Sequence, residues 1–313
     1  MGKTCTELFE GMDCTIIGNA QDEVEGIAYR SDKVKPGDAF FCIVGMKTDG
    51  HTFAQDAIDH GAKVLVVERK VYLADATDVT EVVVSDTRKA MAEASARFYD
   101  DPSRALSLVG VTGTNGKTTT TYLVEHIARV AGKRTGVIGT VGTVIGDVHE
   151  KSSHTTPESP DLQHLLARMR DARCDVVAME VSSHALDLER TYASSFAVTA
   201  FSNLTQDHLD YHHTFEAYFE AKARLFSKDY PARRVICIDD KWGKELLRRC
   251  SEAGDSVVTT GFDRSALIHP KDVLTNAGCQ VGDALVLTKS LGTGILSTGG
   301  KADLLTDGED RLC

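Results

Sequence analysis

The stretch "GVTGTNGKTTTT", Gly110 to Thr121, combines glycines, one lysine and a run of four threonines in an order suited to holding phosphate. An apolar, strand-like run precedes it and a helix-like run follows, so backbone N–H groups and a helix amino end would surround phosphate oxygens. Lys117 would neutralise the β/γ end of a nucleotide, and Thr118 would offer a hydroxyl to Mg²⁺. The common spacing G-x-x-x-x-G-K-[ST] has glycine at the position of Val111 in this chain, although Gly110, Gly113 and Gly116 lie nearby. The pattern predicts a phosphate loop; a glycine turn beside a solvated lysine is the alternative.

Magnesium needs further oxygen ligands, and two segments offer them. Glu180 ends the apolar run "VVAME" and so would lie at the carboxyl end of a strand, where α/β sheets bind ligands. A surface carboxylate at a strand end is the alternative. In "DHLDYHH", His208 and His212 have the i, i+4 spacing of a metal pair, although a solvated polar turn explains that segment equally well.

Lys222 interrupts an apolar stripe on a predicted helix over residues 215–226. Phe215, Phe219, Lys222 and Phe226 follow i, i+4, i+7, i+11 and share one helical face. A lysine in that position must extend its amine to solvent, pair with a carboxylate, or lose its charge.

Strands and helices alternate along the chain, which predicts an α/β protein with mostly parallel sheets. The first unit contains apolar strands such as "KVLVVER" and a helix from Thr87 to Tyr99, and the polar break "DDPSRA" follows it. The second unit begins with the strand "LSLVGVTG" that leads into the glycine loop. In that unit Ser159 is expected to cap a helix that has Pro160 at its first position. The expected domains are therefore 1–103, 104–272 and an atypical glycine-rich tail, 273–313.

The composition excludes several classes of protein. A net charge of −11 argues against general nucleic-acid binding. The eight cysteines are scattered, without a C-x-x-C pair, and are expected to be free thiols in a reducing compartment. Because no secretory signal and no apolar run of membrane-spanning length is found, we expect a cytoplasmic protein without membrane insertion. A monomer is expected.

Four motifs together resemble the Mur ligases, within them the enzymes that add the third amino acid to UDP-MurNAc-L-Ala-D-Glu in peptidoglycan synthesis. They are "GVTGTNGKTTTT", "HTTPESPDLQ", "MEVSSHALDLER" and "FSNLTQDHLDYH" followed by "EAYFEAKARLF". The resemblance covers about residues 20 to 272. It implies a small amino-terminal uridine-binding α/β domain and a P-loop ATPase domain with a mostly parallel sheet.

The resemblance also implies a role for each matching residue. The uridine diphosphate end would be held by Ser31, Lys47 and His51. The muramoyl-peptide would be held by Thr155, Thr156, Ser182 and Arg190. ATP would be bound by Gly113, Thr114, Asn115, Gly116, Lys117, Thr118, Thr119 and Asn203. Magnesium would be held by Thr118, Glu180, His208 and Lys222, the last as a carbamate, and the catalytic residues would be Lys117, Glu180, His208 and Lys222.

The implied reaction is ATP-dependent amide formation. The γ-phosphate would pass to the terminal carboxylate of UDP-MurNAc-L-Ala-D-Glu, and the amine of diaminopimelate or lysine would displace it from the acyl phosphate. Two alternatives stay open: a ligase of the folylpolyglutamate synthetase type, and a non-catalytic fragment that binds nucleotide.

The last forty residues depart from the family. The third Mur domain, which holds the incoming amino acid, and the end of the central domain are expected to be absent, so the 313-residue chain is expected to make little or no amide. The segment "GDALVLTKSLGTGIL" resembles selenophosphate synthetase, which suggests a chimeric chain joined near Val273. A native, diverged carboxyl terminus is the alternative.

Overall fold

The computed structural model, which describes residues 2–45, 48–71, 78–152 and 154–270, contains both strands and helices in each half of the described chain. The strands in these ranges are β1 (Lys3–Thr4), β2 (Cys14–Ile17), β3 (Glu23–Val24), β4 (Gly26–Ala28), β5 (Asp38–Phe41), β6 (Val64–Val67), β7 (Thr80–Val84), β8 (Ser107–Thr112), β9 (Thr135–Ile138), β10 (Thr143–Ile145), β11 (Val148–Glu150), β12 (Val176–Glu180), β13 (Val198–Phe201), β14 (Arg233–Cys237) and β15 (Val257–Thr260). The α-helices are α1 (Cys5–Leu8), α2 (Ala54–Asp59), α3 (Thr87–Phe98), α4 (Lys117–Val130), α5 (Ser159–Asp171), α6 (Ser183–Asp187), α7 (Leu209–His212), α8 (Phe215–Ala223) and α9 (Lys241–Glu252). Short 3₁₀ helices occur at Ser31–Lys33, Gly50–Phe53, Pro102–Ala105 and Arg224–Phe226. The α/β class predicted from the sequence is confirmed.

The amino-terminal sheet has five strands in the order β2-β7-β6-β5-β4, and only β2 runs antiparallel to its neighbour. Every residue of β6 is buried, because both faces of the sheet are covered. Val64 and Val66 pack in one apolar cluster with Met91 of α3, whereas Leu65 packs on the other face with residues such as Ala57 of α2. Because successive side chains of a strand point to opposite faces, the residues of β6 contribute alternately to two separate apolar clusters.

The second sheet has eight strands in the order β11-β10-β9-β12-β8-β13-β14-β15. It is parallel except for the hairpin of β10 and β11. The connection from β8 through α4 to β9 leads toward the β11 edge of the sheet. Every later crossover connection leads toward the β15 edge. Since such crossovers are right-handed, α4 lies on one face and α5, α6, α8 and α9 lie on the opposite face. The main apolar core accordingly contains side chains from those four helices, including Leu162, Leu186, Phe219 and Leu246.

The reversal of direction occurs between β8 and β12, which are adjacent and parallel. The glycine loop follows the carboxyl end of β8, and Glu180 ends β12 opposite Val111. In open α/β sheets, ligands bind in the crevice at such a reversal. The fold therefore brings the phosphate loop and Glu180 to one edge.

Some elements differ from the sequence expectations. Ser159 does not cap α5; it is the first helical residue, and the cap is Glu158, whose side chain makes no capping hydrogen bond because it binds arginines instead. The hairpin of β10 and β11, the helix α9 and the strand β15 were not predicted. The predicted tail, 273–313, lies outside the described residues.

The five-stranded and eight-stranded sheets belong to one compact unit that ends at His269, so the domain division at residue 103 stays a prediction. No helix among the described residues is long and apolar enough to cross a membrane. The six cysteines in the described part are free, as the sequence predicted for them: Cys5, Cys14, Cys42, Cys174, Cys237 and Cys250.

Candidate active site

The glycine loop is shaped by backbone conformations that need glycine. Gly113 has φ +139°, and a Cβ at this position would collide with the Ser202 hydroxyl and with backbone atoms of Asn203. Gly116 has φ +86° and is the residue that precedes α4. The loop therefore passes close against the segment after β13 and then turns directly into the helix.

Asn203 fixes the glycine loop through three hydrogen bonds. Its Oδ1 accepts a hydrogen bond from the Asn115 N–H at 3.0 Å, its Nδ2 donates to the Asn115 carbonyl at 3.1 Å, and its own carbonyl accepts from the Thr114 N–H at 2.9 Å. Thr114 is anchored further, since its hydroxyl accepts from the Thr205 N–H at 3.0 Å. Asn203 thus supports the glycine loop through Thr114 and Asn115, and its predicted contact with ATP stays a prediction.

Two lysines meet at one carbonyl of the loop. Lys117 Nζ donates to the Gly113 carbonyl at 2.9 Å and to the Thr114 carbonyl at 2.9 Å, and Lys222 Nζ donates to the same Gly113 carbonyl at 2.8 Å. Lys222 is only 1% exposed, and its amine lies 4.5 Å from the centre of the Tyr218 ring. The buried apolar stripe predicted from the sequence is confirmed for this residue.

Burial changes the proton affinity of both amines. Desolvation lowers the pKa of Lys117, although the Glu180 and Asp207 carboxylates oppose that change. Burial, followed by the positive charge of Lys117, lowers the pKa of Lys222 well below that of a free lysine. Lys222 therefore holds its proton weakly, and a neutral amine is a nucleophile.

Glu180 is a buried carboxylate held by neutral donors. It is 1% exposed. Its Oε2 accepts from the Thr118 hydroxyl at 2.9 Å and the Thr140 hydroxyl at 3.2 Å, while its Oε1 accepts from the Thr140 N–H at 2.9 Å. Gly139 allows this approach, because a Cβ there would collide with Oε1. Within the described ranges, no lysine, arginine or histidine forms an ion pair with this carboxylate.

A cavity of about 410 Å³ opens over these groups. Its lining residues are Thr114, Asn115, Gly116, Lys117, Thr118, Thr119, Thr140, Thr155, Glu180, Ser182, Ser183, His208 and Lys222. Most of them were predicted as site residues; Thr140 and Ser183 were missed. Thr140 follows the end of β9, next to β12, so its position at the carboxyl edge of a parallel strand was the signal that could have found it.

His208 belongs to a group of rings that pack edge-to-face or tilted against one another beside the cavity. Its ring centre lies 4.8 Å from that of His184, which in turn lies 4.2 Å from the ring of Tyr211. His212 is buried, with Nε2 2.9 Å from the Ser183 hydroxyl. The described residues contain no group of three or more His, Cys, Asp or Glu side chains that could hold a metal. The spacing of His208 and His212 therefore does not produce a metal site made of protein side chains alone.

The predicted muramoyl-peptide residues divide into two sets. Thr155 and Ser182 line the cavity, and the Thr155 hydroxyl lies 3.0 Å from that of Thr140. Thr156 does not line it: this residue is buried, and its hydroxyl donates to the Glu180 carbonyl at 2.9 Å and accepts from the Ser182 N–H at 3.1 Å. Its hydroxyl is thus engaged by the backbone, and the predicted contact with substrate stays a prediction.

Arg190 lies behind Thr156. Its Nη1 donates to the Thr156 carbonyl at 3.1 Å, and its Nη2 pairs with Glu158 Oε1 at 2.8 Å. The buried Nε of this side chain has no hydrogen-bond partner among the described residues.

The predicted uridine-side residues lie in the amino-terminal unit. Ser31 opens a 3₁₀ helix and is partly exposed. His51 is buried: Nδ1 lies 2.6 Å from Asp49 Oδ1, and Nε2 accepts from the Glu68 N–H at 3.0 Å. Both ring nitrogens of His51 are therefore used inside the protein, which makes it a support for this loop in the present structure. Lys47 lies outside the described residues.

The donor set at Glu180 suits a hard divalent cation. Magnesium takes oxygen ligands, commonly one or two carboxylates together with phosphate oxygens. Glu180 supplies a buried negative charge without a protein cation, and the Thr118 hydroxyl lies against it. The residues present fit Mg²⁺ that is shared with a bound nucleotide, with the remaining ligands coming from phosphate and water.

A glycine loop between a strand and a helix, at the carboxyl edge of a largely parallel sheet, defines an α/β protein with a phosphate-binding site. Residues 111–294 match the model of the Mur ligase middle domain, and residues 23–108 match that of the Mur ligase family, catalytic domain. The chain belongs to the Mur ligase family. The middle-domain match runs to residue 294, past residue 272, where the resemblance was expected to end.

Among curated relatives, the chain is 42% identical over 256 residues to the UDP-N-acetylmuramoyl-L-alanyl-D-glutamate--2,6-diaminopimelate ligase of Clostridium perfringens, covering 82% of this chain and 52% of that protein. It is 48% identical over 206 residues to the ligase of the same name from Geobacillus thermodenitrificans, covering 66% and 41%. A solved structure of a ligase of this name superposes with a TM-score of 0.71 at 28% identity, covering 85% and 54%. The chain thus spans about half the length of the relatives that it matches.

Proposed function

We propose that this chain carries the nucleotide site and the UDP-substrate site of an ATP-dependent ligase that acts on UDP-MurNAc-L-Ala-D-Glu. The names of the relatives support this substrate, and they indicate 2,6-diaminopimelate as the incoming amino acid. In this proposal residues 1–103 form the uridine-binding domain and residues 104–272 belong to the ATPase domain.

The observation that carries the proposal is the position of Glu180 between two sets of residues. On one side it accepts a hydrogen bond from Thr118 of the phosphate loop. On the other side it binds Thr140, whose hydroxyl contacts Thr155 of the proposed peptide-binding set. A cation at Glu180 would therefore lie where a nucleotide phosphate and a substrate carboxylate can meet.

The protein groups would act mainly by positioning and by neutralising charge. Lys117 is already held over the loop by two carbonyls, so a phosphate oxygen could take the place of either carbonyl without a large movement. Bound Mg²⁺ would neutralise charge on the transferred phosphoryl group. The carboxylate of the substrate would attack the γ-phosphorus, with ADP as the leaving group, and the amine would then displace phosphate from the acyl carbon.

Lys222 is proposed to act as a carbamate. Its low pKa supplies a neutral amine, which would attack CO₂ to form an N–C bond and release one proton to solvent. The carbamate nitrogen would keep one N–H that can still donate to the Gly113 carbonyl, and its anionic oxygens would be available as ligands for a cation. NMR of the chain in ¹³C-bicarbonate tests this: we expect a carbamate carbonyl signal that is missing from Lys222→Met. A spectrum without that signal, or the same signal in the variant, would refute the carbamate.

Binding measurements on the 313-residue chain test the main proposal. Isothermal titration should detect Mg·ADP and UDP-MurNAc-L-Ala-D-Glu, and Thr118→Val should weaken Mg·ADP because it removes the hydroxyl next to Glu180. Thr120→Val is the matched control, since it makes the same change on the same helix away from the cavity lining. Preference for a folate over the UDP-substrate, or equal effects of the two threonine variants, would overturn the proposal.

A further inference from the structure

One contact between the two sheet units lies at the start of α5. Arg88, at the start of α3 in the amino-terminal unit, donates from Nη1 to Glu158 Oε2 at 3.3 Å and to the Leu188 carbonyl at 3.2 Å. Glu158 uses its other oxygen for Arg190 at 2.8 Å. One carboxylate thus joins two arginines, one from each sheet unit.

The three side chains are mostly buried, with 14–20% of each exposed. Two guanidinium groups share the single carboxylate of Glu158 in these contacts, and the nearby Glu189 is paired with Arg224 and Lys89 instead. The Arg190 Nε has no partner among the described residues. A buried donor without a partner is costly, so the arrangement favours an anionic ligand beside Arg190.

Arg190 is also tied to the centre of the site. Its Nη1 binds the Thr156 carbonyl, and the Thr156 hydroxyl bridges the Glu180 carbonyl and the Ser182 N–H. Arg190 is thus connected to Glu180 through one residue, Thr156. The orientation of the Arg190 guanidinium therefore affects how far it lies from a ligand bound next to Glu180.

We propose that Arg88 and Glu158 are positioning residues that orient Arg190 toward the anionic peptide part of the UDP-substrate. This inference rests on the proposed function. Arg88 makes the orientation depend on how the amino-terminal unit lies against α5, so the unit that would bind uridine diphosphate also sets the group that recognises the other end of the same ligand.

Isothermal titration of the 313-residue chain and its variants with three ligands tests this proposal: UDP, Mg·ADP and UDP-MurNAc-L-Ala-D-Glu. Arg88→Ala should weaken only the last ligand, by about tenfold, the effect of losing one charge-assisted hydrogen bond. Glu158→Gln should do the same, and Arg88→Lys should restore part of the affinity because the charge is kept.

Asp161→Asn is the matched control. Asp161 lies on the same turn of α5 and accepts a hydrogen bond of 2.7 Å from Tyr29 of the amino-terminal unit, but it does not contact Arg190. We expect this variant to bind all three ligands as the parent does. If Arg88→Ala loses Mg·ADP binding because it misfolds, the affinity of Glu158→Gln for UDP-MurNAc-L-Ala-D-Glu tests the positioning role instead.

Equal affinity of the parent and Arg88→Ala for UDP-MurNAc-L-Ala-D-Glu would overturn the positioning role alone. The same loss in Asp161→Asn would also overturn it, because the effect would then come from the interface as a whole. A parent chain that binds Mg·ADP but not the UDP-substrate would overturn the proposed function and this inference together.

Discussion

Replacement of Gly113 by alanine should damage the phosphate loop more than any other glycine change tested beside it. The left-handed backbone at φ +139° costs an alanine about 1–2 kcal/mol. The new Cβ would also overlap Ser202 and Asn203, and overpacking of this kind costs about 1–3 kcal/mol. Together these terms predict a fall of about 2–5 kcal/mol in the free energy of unfolding, measured by urea denaturation.

Rotation of the Ser202 side chain can relieve the overlap with its hydroxyl, but the tight contacts with the Asn203 backbone remain. Relief of those contacts displaces the Gly113 carbonyl that both Lys117 and Lys222 bind. We therefore expect Mg·ADP to bind at least about tenfold more weakly, as measured by titration calorimetry. Gly132→Ala is the control, because Gly132 has φ +77° with no atom near the added Cβ. It should cost stability without a change in Mg·ADP affinity. Nucleotide binding by Gly113→Ala as tight as that of the parent would show that the Gly113 carbonyl does not depend on the missing Cβ.

Three further changes have defined outcomes. Because the folded-state pKa of Lys222 is lowered, this residue costs stability below about pH 10.4, the usual lysine pKa, and the cost grows as the pH falls toward its folded value. Lys222→Met should therefore gain stability relative to the parent on going from pH 10 to pH 7 in urea denaturation, and an equal difference at both pH values would contradict this. Arg69 and then His51 lower the pKa of Asp49, so its contribution is present above about pH 3.9 and is lost as the pH falls through the folded value; Asp49→Asn should destabilise the chain at pH 7 and progressively less below pH 4. Asn203→Ala removes two hydrogen bonds to Asn115, worth about 1–3 kcal/mol together, and should weaken Mg·ADP. Asn203→Asp keeps the acceptor but sets a carboxylate oxygen against the Asn115 carbonyl beside the phosphate loop, so it should weaken Mg·ADP at least as much; binding as in the parent by either variant would contradict this.

Local patterns in the sequence were sufficient to predict the position of the phosphate loop and the burial of Lys222. The loop lies between a strand and a helix that adjoin in the chain, and the stripe of Phe219, Lys222 and Phe226 needs only the period of one helix. The position of Glu180 at the carboxyl end of a strand was predicted because this residue ends the apolar run "VVAME". Each of these inferences uses residues within about one element of each other.

Contacts between distant segments were not predictable in the same way. Thr140 reaches Glu180 from a neighbouring strand, forty residues away in the chain, and Arg88 reaches Glu158 across seventy residues. The expected cap at Ser159 was wrong for the same reason: the position of Glu158 is decided by arginines from elsewhere. The contacts of the Thr156 hydroxyl with the Glu180 carbonyl and the Ser182 N–H, more than twenty residues away in the chain, were likewise not predictable, and the predicted role of Thr156 in holding substrate stays a prediction.

The central claim is that one cavity holds the nucleotide metal and the reacting carboxylate side by side at Glu180. The direct test is NMR of UDP-MurNAc-L-Ala-D-Glu, ¹³C-labelled in the carboxylates of its D-Glu residue, bound to the 313-residue chain with ADP and Mn²⁺ in place of Mg²⁺. We expect strong paramagnetic broadening of the labelled carboxylate signals, much weaker broadening at the uridine ring, and recovery of the signals when excess Mg²⁺ displaces Mn²⁺. Sharp carboxylate signals with both ligands bound would contradict it.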